Sequence, residues 1–292
     1  MEKHPEDFDL DFLYSCTNEE LDLLVQILLN AATNMLDVDE GYKRWNPDHR
    51  KYIDTIIADY QTFGGNTLVN AFRGYGVPYL EILSDVCDQQ DVDCETKDLD
   101  EMENALLSKS LTDLFAKMSD EQKREVLQEI GGASSNIGGT SATALITAFR
   151  MGGFSSYKVM LMLVNGLSKL IIGRGLAFGA NAALTRTLSI VTGPIGWTIG
   201  GLWTAIDIAS PAYRVTVPAT IYIAALRNIK RNESLAKKAG EVIGKCIERG
   251  EYARASVERD ANSELAPCLS PKEDEAAHPE EWHIWSSAYE RS

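Results

Sequence analysis

The chain has 292 residues, 45% hydrophobic and 24% charged, with a formal net charge of −15. That composition excludes wholesale disorder, a collagen repeat and a disulfide scaffold, and the length suits one or two domains with a sizeable core. Charge is uneven: residues 1–130 hold 29 acids against 11 bases (net −18), residues 131–229 hold Asp207 against seven bases (net +6), and residues 230–292 hold 13 acids against 10 bases (net −3).

An acidic front repels phosphates, and seven bases spread from 131 to 229 are too dilute for a polybasic patch, so no nucleic-acid partner is expected. The opening residues, Met1 to Phe12, are acidic with no apolar run behind them, which does not read as a secretory signal. Five scattered cysteines (Cys16, Cys87, Cys94, Cys246, Cys268) then read as reduced thiols in a cytoplasmic protein, with a peripheral place at the inner membrane as the further possibility. Cys87 and Cys94 form the one close pair, and their spacing matches no common zinc motif.

In chain order, Thr17 and Glu20 form a capping box ahead of Leu21, Leu24, Val25, Leu28 and Leu29, the apolar face of an amphipathic helix. Asn46-Pro47 predicts a second helix, with proline at its first position, running through Tyr52, Ile53, Ile56, Ile57 and Tyr60. Phe63-Gly64-Gly65 stops it. A short helix with Leu68, Val69 and Phe72 is expected to end at Gly74, and Pro78 starts another with Leu80, Leu83 and Val86. Asp98 to Glu101 and Ser119 to Gln122 read as two more capping boxes. No run alternates like an exposed strand.

From Gly131-Gly132 the chain turns rich in Gly, Ala, Ser and Thr. Residues 157–188 read as helical segments interrupted at Gly166, Gly173, Gly175 and Gly179. Residues 187–206 carry no charge and are long enough to cross a bilayer, although Gly193-Pro194 and several threonines weaken that reading. Gly175/Gly179 and Gly196/Gly200 have the spacing that lets helices approach closely, in lipid or in a tight core. A buried or interface-bound helical hairpin and a membrane insertion both fit. Residues 212–218 could pass for a strand, but Pro218 and the apolar residues after it favour a helix restarting at the proline. An amphipathic helix is expected over 232–262, with Leu235, Ala239, Val242, Ile243 and Cys246 on one stripe, then a flexible tail ending near Trp282-His283-Ile284-Trp285.

Catalytic and metal chemistry is poorly supplied. The four histidines are scattered, Gly173, Gly175 and Gly179 miss the dinucleotide spacing, and the stretch from Gly240 to Cys246 is one residue short of a phosphate loop. The acids between Asp91 and Glu103 lack the glycine and ligand order of a calcium loop and read as solvated. No cofactor or metal is expected. Arg73-Gly74-Tyr75-Gly76 could meet an anion or a partner carboxylate, or could simply end a helix.

Several stretches resemble the bacterial YaaW family: Asp9-Leu10-Asp11-Phe12-Leu13 with Cys16 and Glu19-Glu20-Leu21; Phe63-Gly64-Gly65 with Arg73-Gly74-Tyr75-Gly76, Tyr79 and Asp85-Val86; Gly193-Pro194-Ile195-Gly196; Ala212-Tyr213-Arg214-Val215-Thr216-Val217-Pro218-Ala219; and Ala224-Ala225-Leu226-Arg227. The resemblance covers roughly residues 8–230 and implies a helical bacterial protein without known catalytic residues. Residues 40–130 also resemble, more weakly, the ubiquinol–cytochrome c chaperone domain, an all-helical fold.

The expected fold is all-α, a multi-helix bundle with an acidic amphipathic front and a Gly/Ala-rich apolar back. Its expected units are residues 1–130 (a short motif at 8–35, chaperone-like helices at 40–130), 131–231 and 232–292. The leading functional expectation is a non-enzymatic protein that engages a membrane or a hydrophobic partner through its apolar helices, a regulated stress or defence effector. The contact residues would be Lys158, Lys169, Arg174, Gly175, Gly179, Arg186, Gly196 and Gly200. Arg73, Gly74, Gly76 and Arg214 are expected to touch a partner or an anion. A soluble assembly chaperone or adaptor is the alternative, an enzyme of unknown reaction the second alternative, and a homo-oligomer is compatible with each.

Overall fold

Local capping signals build the front as its sequence implies. Thr17 Oγ1 accepts the Glu20 N–H (3.3 Å) and Glu20 Oε2 accepts the Thr17 N–H (2.8 Å), closing the box ahead of α1 (Asn18–Leu29). Asp98 accepts the Glu101 N–H ahead of α5 (Leu99–Ala116), and Ser119 and Gln122 bond reciprocally ahead of α6 (Asp120–Gly131). The structure, a computed structural model, describes residues 2–31, 35–64, 74–94, 98–131, 142–172 and 213–249. It is all-α; among the described residues the sole β-type pairing is a bridge between Glu2 and Tyr75.

The second predicted helix comes out differently. Residues 46–47 form a turn, a 3-10 turn spans His49–Tyr52, and α3 begins only at Ile53 (Ile53–Phe63). The cause is tertiary: Asn18 of α1 donates to Asp48 (3.1 Å) and accepts the Arg50 N–H (3.0 Å), holding the turn down. A short helix precedes it, α2 (Glu40–Trp45), capped by Asp39 and without a buried residue, so it shows no apolar periodicity to read. Pro78 caps α4 (Tyr79–Gln89) as expected. The short helix expected around Leu68 lies outside the described residues.

In the back, α7 (Ala142–Met151) and α8 (Gly153–Ile172) are separated by Gly152, whose φ of +76 suits glycine alone. Gly166 does not interrupt α8: it is buried within it, and packing outweighs the roughly 1 kcal/mol that glycine costs a helix.

The axis of the fold is α9 (Tyr213–Glu248), an unbroken helix of 36 residues, about 54 Å long at 1.5 Å per residue. It is neither a strand nor restarted at Pro218, which sits inside it. Every residue from 215 to 226 is buried, as befits a helix covered on all sides by α1, α3, α4, α5 and α8. It also runs without a break across residue 231, and one apolar core joins Leu10 through Ile229. Ser156 on α8 donates to Asn228 on α9 (3.1 Å). From that contact the buried part of α8 runs toward its C-terminus and that of α9 toward its N-terminus, so the two lie antiparallel. Ile172 and Tyr213 therefore share one end of the pair. No helix among the described residues is long and apolar enough to cross a membrane, and residues 187–206 lie outside them.

Candidate functional site

A buried polar group in the bundle joins five segments. Glu103 on α5 is 4% exposed, and its Oε1 accepts from the Tyr79 hydroxyl (2.7 Å) and from Arg227 Nε on α9 (2.9 Å). The Arg227 guanidinium lies over the Phe12 ring (4.3 Å) and near the Tyr79 ring (5.5 Å). Beneath it Asp7 Oδ2 accepts from Gln61 Nε2 on α3 and from the Tyr79 N–H, both at 2.7 Å, while Gln61 Oε1 accepts the His4 N–H (2.8 Å). Tyr60 and Thr220 share a hydroxyl hydrogen bond at 2.8 Å.

Burial raises the Glu103 carboxyl above its ordinary value against the pull of Arg227 and Tyr79, and it raises the Tyr60 and Tyr79 hydroxyls far above theirs. Those phenols stay protonated as fixed donors. The network ties α3, α4, α5 and α9 together.

A second charge contact lies about one turn further along α9. Lys230 Nζ meets Glu20 Oε1 (2.7 Å), itself 2% exposed, and Glu233 (3.4 Å), while Tyr222 donates its hydroxyl to the Glu20 carbonyl. Cys16 is buried beside this group, and burial with the Glu20 charge pushes its thiol up to about 12, which leaves it unreactive. At the surface Arg231 meets Asp100 (2.6 Å). Three consecutive cations of the α9 face are thus matched to acids of the front. Of the acids expected to be solvated, Glu103 is instead buried, whereas Asp98 and Asp100 are exposed, the first as a cap and the second facing Arg231.

The solvent-facing feature is a cleft of about 380 Å³ lined by Leu13, Tyr14, Asn18, Asp48, Arg50, Lys51 and Ile53. Next to it the Trp45 ring lies between Arg44 (4.8 Å) and Lys51 (4.4 Å). Behind it His49 is buried, with Nε2 3.2 Å from an Asp22 carboxylate oxygen and Nδ1 2.5 Å from the Tyr52 hydroxyl oxygen. The order acid, imidazole, hydroxyl resembles a nucleophile relay, but His49 and Tyr52 are both buried. Among the described residues no group of three or more His, Cys, Asp or Glu could hold a metal ion.

Asp59 on α3 is a buried carboxylate of another kind. Its Oδ1 accepts the Met35 N–H (3.2 Å), while Oδ2 is buried without a hydrogen-bond partner among the described residues. Burial, with Asp37 and Asp39 nearby, raises it to about 6. The folded chain holds this proton to a higher pH than the unfolded chain, so stability falls as pH rises from about 4 to about 6 and stays lower above. Asp59→Asn keeps the Met35 contact. In urea titrations it should be about 1–2 kcal/mol more stable than the parent at pH 8 and no more stable at pH 4. A variant no more stable at pH 8 would show that the charge is carried there at no cost.

Of the residues expected to form contact sites, Gly74, Gly76, Lys158, Lys169 and Arg214 are among the described residues. Arg73, Arg174, Gly175, Gly179, Arg186, Gly196 and Gly200 lie outside the described residues. Lys158 and Lys169 are half-buried on α8, Arg214 is exposed in the first turn of α9, and Lys158 and Arg214 each already interact within the chain. Gly74 has φ +80 and open space around it. Gly76 is buried, and its glycine answers to internal packing: a Cβ there would stand 2.3 Å from the Gln61 carbonyl carbon. Sequence reasoning missed Asp7, Gln61, Glu103 and Arg227 as a group. The one signal was negative: acids at these positions looked like every other acid of the front.

The chain is similar to a UPF0174 protein of Helicobacter pylori strain J99, 38% identical over 245 residues that cover 81% of this chain and 97% of that protein. A second UPF0174 protein of the same strain is 37% identical over 193 residues, covering 64% of this chain and 92% of that one. The UPF0174 protein YaaW of Escherichia coli K12 is 28% identical over 237 residues, covering 76% and 94%. No family model matches the chain, and no solved structure matches it.

Proposed function

The chain belongs to the UPF0174 family, and on that premise we propose that it is a non-enzymatic protein that engages a membrane surface or a hydrophobic protein partner through the Gly-rich apolar part of residues 131–231. The supporting observation is a contrast within the back of the molecule. The apolar faces of α8 and of the first half of α9 are spent inside the bundle, and the cations Arg227, Lys230 and Arg231 are spent on front acids. Between the adjacent ends of these two helices the chain carries residues 173–212, whose ionisable groups are Arg174, Arg186 and Asp207 alone. A stretch so apolar, joined to a bundle with matched charges, suits contact with lipid or with an apolar protein face.

Flotation of the purified chain with anionic and neutral liposomes, at low and high salt, tests this. Salt-sensitive flotation with anionic vesicles is expected. Each cation near such a surface is worth about 1 kcal/mol, so Arg174→Glu with Arg186→Glu should reduce flotation at least about tenfold. A monodisperse protein that remains at the bottom with every vesicle would rule out the lipid arm and leave an adaptor for a protein client.

A further inference from the structure

The turn that ends α4 brings two thiols together. Val92 donates its N–H to the Cys87 carbonyl (2.9 Å) and Asp91 donates to the Asp88 carbonyl (3.2 Å), with Asp91 in the left-handed region at φ 54. This pair of bonds is a Schellman motif, and it doubles the chain back along the last turn of the helix. Cys94, two residues beyond that bond, lies partly buried against the same apolar core as Cys87. Both are free thiols. Cys87 is fully buried in the core, whereas Cys94 is partly exposed at its edge.

We propose that Cys87 and Cys94 form a reversible intramolecular disulfide when the protein meets a hydroperoxide. Six residues lie between the two cysteines, and the turn has already reversed the chain within that short loop, which favours closing an S–S bond of about 2.05 Å. Cys94 acts first because it is the accessible sulfur; burial and the neighbouring thiol hold the Cys87 thiol well above its ordinary value. The Cys94 thiolate attacks one peroxide oxygen, the S–O bond forms as the O–O bond breaks, and the departing oxyanion takes up the proton that the thiol released. The Cys87 sulfur then attacks the Cys94 sulfenic acid. The S–S bond forms, the S–O bond breaks, and the leaving hydroxide combines with the Cys87 proton as water. Two thiols are oxidised to one disulfide, and one hydroperoxide is reduced to an alcohol and water (two waters from hydrogen peroxide itself). A dithiol reductant reverses the bond. The bridge closes the segment that leads into α5, the helix whose Asp100 and Glu103 hold α9.

The test uses the full chain, reduced, freed of reductant, treated with a small excess of hydrogen peroxide, then denatured, blocked with N-ethylmaleimide and mapped by peptide mass spectrometry. A linked Cys87–Cys94 peptide, lighter by two hydrogen atoms and restored by dithiothreitol, is expected. Cys94→Ser, a change at the edge of the core, should abolish it and leave Cys87 open to the maleimide after denaturation. Cys87→Ser should instead drive Cys94 to sulfinic acid. The proposal fails if Cys94 pairs with Cys246 or Cys268. It fails equally if both thiols are recovered unmodified, or if the parent chain accumulates Cys94 sulfinic acid while Cys87 still takes maleimide.

Discussion

Replacing Arg227 by methionine should destabilise the chain by about 3–5 kcal/mol, read as urea unfolding followed by circular dichroism at pH 8. Methionine keeps much of the aliphatic packing against Phe12 and Tyr79 but removes the charge that faces Glu103. That carboxylate is 4% exposed and would keep a single donor, the Tyr79 hydroxyl. Its proton affinity, already raised by burial, should climb further once Arg227 is gone. The folded variant then binds a proton that the unfolded chain does not, so its deficit should shrink as pH falls toward 5. Pairing Arg227→Met with Glu103→Gln should recover much of the loss, since a neutral amide costs far less to bury than a lone carboxylate. The cycle of single and double variants isolates the pair. A single variant within about 1 kcal/mol of the parent would mean that Glu103 finds other stabilisation and that Arg227 does not hold α5 to α9.

Gly76→Ala should be comparably damaging, by about 3 kcal/mol or enough to prevent folding. A Cβ at this position would sit 2.3 Å from both the carbon and the oxygen of the Gln61 carbonyl and 2.7 Å from the Thr62 nitrogen. These are backbone atoms of α3, and the same carbonyl accepts the Val77 N–H at 3.2 Å. No side chain can rotate away to relieve the contact; α3 and the segment before α4 would have to separate, taking Gln61 from Asp7. Gly74→Ala is the control. It faces open space at φ +80, and only its left-handed backbone is penalised, by about 1–2 kcal/mol. Thermal unfolding of the two variants side by side decides the matter: equal losses would show that the backbone approach at Gly76 relaxes freely.

Much of the front was readable because its signals are local. Capping at Thr17, Asp98 and Ser119 depends on residues three apart, and the leucines of α1 repeat with the helical period, so both survive without knowledge of the fold. The errors fall where distant residues intervene. Asn18 converts the start of the expected helix at Pro47 into a turn, and packing carries α8 through Gly166. The β-branched run before Pro218 is helical because five helices surround it, and burial on every side removes the periodicity that would have announced a helix.

Taken by itself, the sequence determined the all-α class, the helix starts at Thr17, Pro78, Asp98 and Ser119, and the family resemblance that the comparisons then established. Each of these follows from composition, short-range spacing or motif order. Only the tertiary structure decided which charges are structural. Glu103 is one acid among 43, and nothing within a few residues of it distinguishes it from Glu101. What sets it apart is Arg227, 124 residues away, brought beside it because α9 threads the centre of the bundle. The same holds for Cys87 and Cys94, a spacing with no meaning until the turn at Asp91 folds the chain back between them. Electrostatic and covalent partnership depends on distance in space and on local dielectric, and neither is set until the chain has folded.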